Sequence, residues 1–363
     1  MADEPMLIID SHLDLAFNAI QINRDITQTA SIVRTHDHQS VLYRAGSSTV
    51  TFPELRKGRV GIVFGTVMSR IDPNDRFYRT GMYSQAQCYG VGHGHYSFYK
   101  AMEREGTLKF IHNSDDLDAM GTAWQNPSSD TPLGLVLAME GADPILNADH
   151  VSEWYDRGLR IVSLSHYGVS TYAHGTDTEG GLLPKGKPLL DALKATGIIV
   201  DLTHTTDQGF WEILEYYDWP VAASHHNCRT LVPGQRQLND EMIKAIVDRN
   251  GVIGAAFDAW MLDSEWIKGV FGCNQTTNAT LNSVVDHIDY IVQLVGSVNH
   301  CGIGTDLEGG FGQEQSPRAL TTIADLQKLP SIFQKRGYKD EDIRKILSGN
   351  WIRFLKENWG QKV

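Results

Sequence analysis

Six side chains able to bind a metal or move a proton each follow a short apolar run. They are His12 and Asp14 after LIID, Glu140 after GLVLAM, His204 after GIIVDLT, His225 after PVAAS, and Asp306 after GIGT. His12 and Asp14 stand two apart, so on an extended segment they share a face and can reach one cation. Glu140 has two carboxylate oxygens and could bridge two ions, with His204 and His225 completing a second site. This mixture of nitrogen and oxygen donors suits Zn²⁺, with Mn²⁺, Co²⁺ or Fe²⁺ as alternatives. Any one of these histidines alone would read as a hydrogen-bonded structural residue. Five ordered positions at the ends of strand-like runs are instead what a catalytic metal centre on a parallel α/β barrel requires.

The elements that must position these residues can be read from the same apolar runs. Strands are expected near 6–10, 60–67, 133–139, 160–165, 197–203, 220–224, 251–257 and 301–305. Amphipathic helices are expected between them, in DALKATG, TTDQGFWEILEYYD and NDEMIKAIVDRNG. Asn239 or Asp240 would cap the last of these, and the glycine of RNG would end it. Eight alternations of strand and helix predict a (β/α)8 barrel of the TIM type. Two excursions, 16–58 and 68–132, lie where long loops cover a barrel's active site. The second contains an expected aromatic-rich helix, YSQAQCYGVGHGHYSFYKAMEREG. The whole of 1–363 reads as one domain, with a C-terminal helical extension from about residue 318.

Composition narrows the partners. Hydrophobic residues make up 41% and charged residues 21%, enough for a sizeable core. A net charge of −12 argues against nucleic acid and against anionic lipid surfaces, both of which attract a basic face. No apolar run is long enough to span a bilayer. The start MADEPMLIID lacks a basic region followed by an apolar stretch, so a cytoplasmic location is expected. Cys88, Cys228, Cys273 and Cys301 are scattered without a CxxC pair and are expected to be reduced core thiols.

The ordered motifs resemble the membrane dipeptidase (renal dipeptidase) family, peptidase family M19 of the amidohydrolase superfamily. The matching segments run from about residue 6 to 356: IIDSHLDL, FPELRKGRVGIVF, MEGADPI, DRGLRIVSLSHYG, GIIVDLTHTT, WPVAASHHNCRTLVPGQRQLNDEMI, GIGTDLEGG and ILSGNWIRFL. Many amidohydrolases use HxH and a carboxylated lysine; this family uses HxD and a glutamate, as here. The resemblance implies a zinc held by His12, Asp14 and Glu140 and a second held by Glu140, His204 and His225. A hydroxide bridging them would attack the peptide carbonyl, since bound zinc lowers the pKa of water from about 16 to about 7. It further implies Asp306 as general base and then acid, His166 as donor to the carbonyl oxygen, and Arg236 as the residue holding the substrate carboxylate. The expected substrate is a dipeptide, L-D dipeptides included, and a homodimer is expected on the same ground.

The residues themselves leave alternatives open. Asp306 could cap a helix or shape a turn, His166 could be a core hydrogen-bonder, and Arg236 could be a surface residue with Arg229 as its rival. The family start close to DGHNDL is here DSHLDL, which puts Leu13 between the two ligands. In AAFDAW, Asp258 takes a place where the renal enzyme commonly has an aromatic residue. It would then face the pocket, bind substrate and disfavour a second anionic group; the opposing reading is a helix cap. His93 and His95 in HGHY should diverge on a helix, so no ligand role is expected. His226 is expected to be structural, and GIGTDLEGGFG lacks a phosphate-loop signature. Beside a dipeptidase stand two other functions: a hydrolase of another amide, N-acyl amino acid or lactone, and a non-catalytic metal-binding scaffold.

Overall fold

The computed structural model describes residues 5–37, 46–72, 81–267 and 277–359. Its strands are β1 (Ile8–Leu13), β2 (Val60–Met68), β3 (Leu108–Phe110), β4 (Leu133–Glu140), β5 (Leu159–Ser163), β6 (Ile199–Asp201), β7 (Val221–Ala222), β8 (Ile253–Ala255) and β9 (Cys301–Ile303). They pair in the order β7-β6-β5-β4-β2-β1-β9-β8, and every paired strand is parallel. A parallel bridge from Ala223 to Ile253 brings the two ends together, giving a nearly closed (β/α)8 barrel. Every residue of β1, β2, β4 and β5 is buried, which is why these strands read as unbroken apolar runs and not as alternating ones.

The eight expected strands are present, and β3 is an addition. It pairs Leu108–Phe110 with Leu133–Leu135 on the flank of β4. Three residues with an exposed lysine at the centre carry no usable periodicity, so local pattern could not reveal it. The barrel interior is narrow at β8 and β9. A Cβ on Gly254 or Gly304 would stand 2.0 or 1.8 Å from the Ser224 carbonyl, and the Ser11 hydroxyl lies 2.6 Å from that same oxygen.

The expected helices form at Gly186–Thr196, Asp207–Tyr216 and Asp240–Asp248. Asn239, not Asp240, caps the last by accepting the Met242 N–H. Its end differs from expectation: the left-handed residue is Asn250 (φ 57°), whose short polar side chain tolerates that conformation, and not Gly251. The aromatic-rich segment is a helix over Gln85–Arg104. His95 is buried and accepts the Met68 N–H, while His93 stacks on Trp154, so the two diverge. The C-terminal helices end with Asn350–Asn358, whose Trp351 meets Phe64 edge-on at 5.0 Å and closes over Gly302. Cys88, Cys228 and Cys301 are buried and unpaired; Cys273 lies outside the described residues. Among the described residues no helix is long and apolar enough to cross a membrane.

Candidate active site

The carboxyl ends of the barrel strands bring the six residues of the sequence pattern together. His12 belongs to β1 and Asp14 follows it, at the start of the short helix Leu15–Ile20. Glu140 ends β4, His204 and His225 follow β6 and β7, and Asp306 follows β9. His204 (φ 66°) and Asp306 (φ 59°) both occupy the left-handed backbone region, a strained conformation for side chains other than glycine. One oxygen of Glu140 is the hub. It lies 3.4 Å from His12 Nε2, 3.1 Å from His204 Nε2, 3.5 Å from His225 Nε2 and 3.6 Å from His166 Nε2.

Hydrogen bonds behind the imidazoles fix which nitrogen faces inward. Ser224 donates its hydroxyl to Asp201, so the Ser224 oxygen, 2.9 Å from His225 Nδ1, accepts that ring's proton. His225 Nε2 is then a bare lone pair. His204 Nδ1 is likewise engaged, at 2.9 Å from the Thr176 hydroxyl. Yet the two Nε2 atoms are only 3.2 Å apart, and His12 Nε2 is buried without a hydrogen-bond partner. Thr66 donates to the Asp14 carboxylate from β2.

Charge makes the same demand. Burial raises the Asp306 carboxyl well above its ordinary range, and Glu140, Asp14 and Asp258 add to this against the opposing His12. Burial, then the neighbouring Glu140, pushes Asp14 up to about 7. Burial opposes ionisation of Glu140 most strongly, but the neighbouring imidazoles, with His12 carrying the charge, hold it well below the usual carboxylate range. Imidazole Nε2 atoms converging on one carboxylate oxygen, and buried carboxylates crowded beside them, are both accommodated by a cation. Three sets of donors lie within mutual reach of 4.8 Å: His12, Asp14 and Glu140; Glu140, His204 and His225; His12, His225 and Asp306. The residues present therefore fit a divalent metal.

Around this cluster stand the other expected residues. Arg236 is 4% exposed; its Nη2 donates to the His225 carbonyl at 3.0 Å and lies 3.4 Å from His204 Nε2, while Nη1 is buried without a partner. It opens onto a recess of about 420 Å³ lined also by Asp177, Trp260, Asp263 and Trp266. Arg229 is engaged elsewhere, gripping Asp207 with two bonds of 2.7 Å. Asp258 caps the turn Ala259–Leu262 and accepts from Gln315 at 2.8 Å. It is also buried, which lifts its carboxyl to about 7. Burial pushes His166 down to about 3.

Arg70, Thr66, Thr176, Tyr167 and Ser224 also converge here, and none was singled out from sequence. They are ordinary residue types on loops and strand ends whose neighbours lie far along the chain. Only the position of Arg70 just beyond the end of β2 offered a signal.

The sequence pattern described as membrane dipeptidase, peptidase family M19, matches residues 3–362. An uncharacterised protein in the pqqA 5′ region of Klebsiella pneumoniae is 30% identical over 241 residues, 64% of this chain and 84% of that protein. The chain spans about half the length of a similar dipeptidase, tcpJ, of Claviceps purpurea. Among solved structures, dipeptidase AC, a metallopeptidase of family M19, aligns with a TM-score of 0.80 at 22% identity, covering 98% of this chain and 100% of that one. A metallopeptidase of Rhodobacter sphaeroides, liganded with a phosphinate mimic of the dipeptide L-Ala-D-Ala, aligns with a TM-score of 0.78 at 20% identity over the same shares. At these identities the structural likeness shows the fold.

Proposed function

The chain belongs to the membrane dipeptidase family, peptidase family M19, and from that premise we propose that it is a binuclear zinc dipeptidase that accepts L-D as well as L-L dipeptides. His12, Asp14 and Glu140 would hold one zinc, and Glu140, His204 and His225 the other. When bound, the ions would supply a Lewis acid for the scissile carbonyl and a water acidic enough to lose a proton near neutral pH. Asp306 takes the proton of the attacking water at its carboxylate and returns it to the leaving amine. His166 donates from Nε2 to the carbonyl oxygen as negative charge gathers there.

Arg236 is the single observation that carries the dipeptidase assignment. A guanidinium nitrogen buried without a partner beside the ligand cluster is costly unless an anion completes it, and a free C-terminal carboxylate is the anion a dipeptide offers. Acceptance of L-D dipeptides is supported by the phosphinate L-Ala-D-Ala mimic held by the Rhodobacter sphaeroides relative. Asp177 and Asp263, which line the recess, select against a second anionic group on the substrate and favour a basic or hydroxyl-bearing side chain, and Asp258, a buried neighbour of Arg236 and Asp306, adds to the same acidic surroundings.

The test is turnover of a mixed L-L and L-D dipeptide library by zinc-reconstituted protein, with zinc counted per chain. We expect two zinc ions per chain and cleavage, with kcat/KM in Arg236→Ala reduced about 10- to 100-fold on dipeptides, as for loss of a charged hydrogen bond. Cleavage indifferent to Arg236, or confined to amides and lactones without a carboxylate, would transfer the assignment to a hydrolase of those substrates.

A further inference from the structure

Arg70 lies two residues beyond the end of β2 and its side chain turns toward His166, with Nη1 2.8 Å from His166 Nδ1. A guanidinium carries donors only. His166 Nδ1 must therefore accept, and the single proton of the neutral ring must sit on Nε2, the atom that faces Glu140 at 3.6 Å. We propose that Arg70 is a positioning residue that fixes His166 as the Nε2–H tautomer, so that the ring presents a proton, not a lone pair, to the substrate carbonyl oxygen. The inference rests on the role given to His166 above. Without the guanidinium, Nδ1 is free to carry the proton, and Nε2 would then turn a lone pair toward an oxygen gaining negative charge.

The surroundings hold Arg70 for this task. Its Nη2 is 3.2 Å from Asp72 Oδ2, so the planar group is anchored at its far end, and it lies 6.0 Å from the centre of the Tyr167 ring. Its backbone is pinned as well: the Arg70 carbonyl accepts the Met82 N–H at 2.9 Å, and the Ile71 N–H donates to Asp143 at 3.0 Å. The second oxygen of Asp143 receives the Thr171 N–H at 2.8 Å. Asp143 thereby ties the loop that bears Arg70 to the loop that follows His166. With only 14% of its side chain exposed, Arg70 is built into the wall and not extended toward a ligand.

The test uses zinc-loaded enzyme labelled with ¹⁵N-histidine, the His166 signals being assigned by their loss in His166→Gln. In the wild type we expect a protonated Nε2 and an accepting Nδ1. In Arg70→Met the Nδ1–H form should appear and kcat should fall about 10- to 100-fold, a share of what a lost oxyanion donor costs, with KM within about threefold. Affinity for a phosphinate dipeptide mimic should fall with kcat/KM, and Arg70→Lys, whose ammonium also only donates, should restore most of the loss. A protonated Nδ1 in the wild-type spectrum overturns the proposal without recourse to any variant. So does an Arg70→Met enzyme with unchanged kcat and raised KM, which would mark a substrate contact. Should the wild type cleave no dipeptide, the dipeptidase reading fails, and the spectrum alone decides the role of Arg70.

Discussion

At the residue scale, room matters at this site as much as charge. A Cβ placed on Gly309 would lie 2.0 Å from Asp306 Oδ1, and Asp306 itself holds a left-handed backbone that the loop must impose. The carboxylate proposed to move the proton can stand where it does only because residue 309 has no side chain. Asp306→Asn should lower kcat about 10²- to 10⁴-fold with little change in KM, since the amide cannot take a proton. Gly309→Ala should lower kcat at least about tenfold while zinc content stays unchanged, because a small misplacement of a reacting group is expensive in rate. Steady-state kinetics with metal analysis on both variants checks this; normal kcat in Gly309→Ala would mean that the carboxylate position is not decisive. The paired glycines of LEGG are visible in the sequence as a turn, but their purpose is not, since the clash they avoid exists only in three dimensions.

At the element scale, the loop after β9 is fastened to the first excursion of the chain by Glu308. One of its oxygens accepts from the Ser48 hydroxyl at 2.8 Å and the Val50 N–H at 2.6 Å, and the other is 3.2 Å from Arg24 Nη1. Arg24 also pairs with Asp37, at 3.0 Å. Asn18 donates both to the Asp14 carbonyl at 3.0 Å and to the Glu308 carbonyl at 2.9 Å, so the same cluster joins the helix that follows Asp14 to the loop that carries Asp306. Arg24→Met strips two buried carboxylates of their counter-ion and should cost about 3–5 kcal/mol of stability in urea unfolding. Lys345→Met, which removes the exposed pair with Glu341, should cost less than about 1 kcal/mol. Equal effects from the two would deny the tether its importance. The cap at Asn239 was legible because its partner, the Met242 N–H, is three residues away. Arg24 and Glu308 stand 284 positions apart, and no local pattern relates them.

At the scale of the whole molecule, stability should follow both metal and acid. Any ion that binds only the folded chain stabilises it by mass action, by about 2.7 kcal/mol at a hundred times its dissociation constant. Chelation should therefore lower the melting temperature, and added zinc should raise it in a concentration-dependent way. Acid acts through histidines remote from the metal cluster. Burial depresses His95 and His287 to about 4, and each accepts a backbone N–H, of Met68 and Cys228 respectively. Their folded pKa lies below the unfolded value of about 6.5. Between those values the unfolded chain binds protons that the native state refuses, so stability falls as pH drops from about 6.5 to 4 and levels off below. The loss is on the order of 3 kcal/mol for each ring at the bottom of that window. His95→Gln and His287→Asn should flatten the slope in chelated protein; an unchanged slope would place the acid sensitivity elsewhere.

The sequence by itself determined the barrel and the set of candidate metal ligands that the strand ends bring together. Strands buried on both faces must be written as continuous apolar runs, and ligands delivered from strand ends must come directly after them, so both are encoded over short stretches of chain. The ordered motifs also carried the family resemblance, which the match over residues 3–362 bears out. What the tertiary structure decided was everything that depends on distant residues meeting. It set Glu140 among four imidazoles, left Arg236 Nη1 without a partner and placed Arg70 against His166. It also made Asp258 the cap of a turn, and added β3 to the flank of β4. Hydrogen bonds and ion pairs of this kind act over a few ångströms in space with no fixed spacing along the chain, whereas hydrophobic periodicity and capping act between near neighbours.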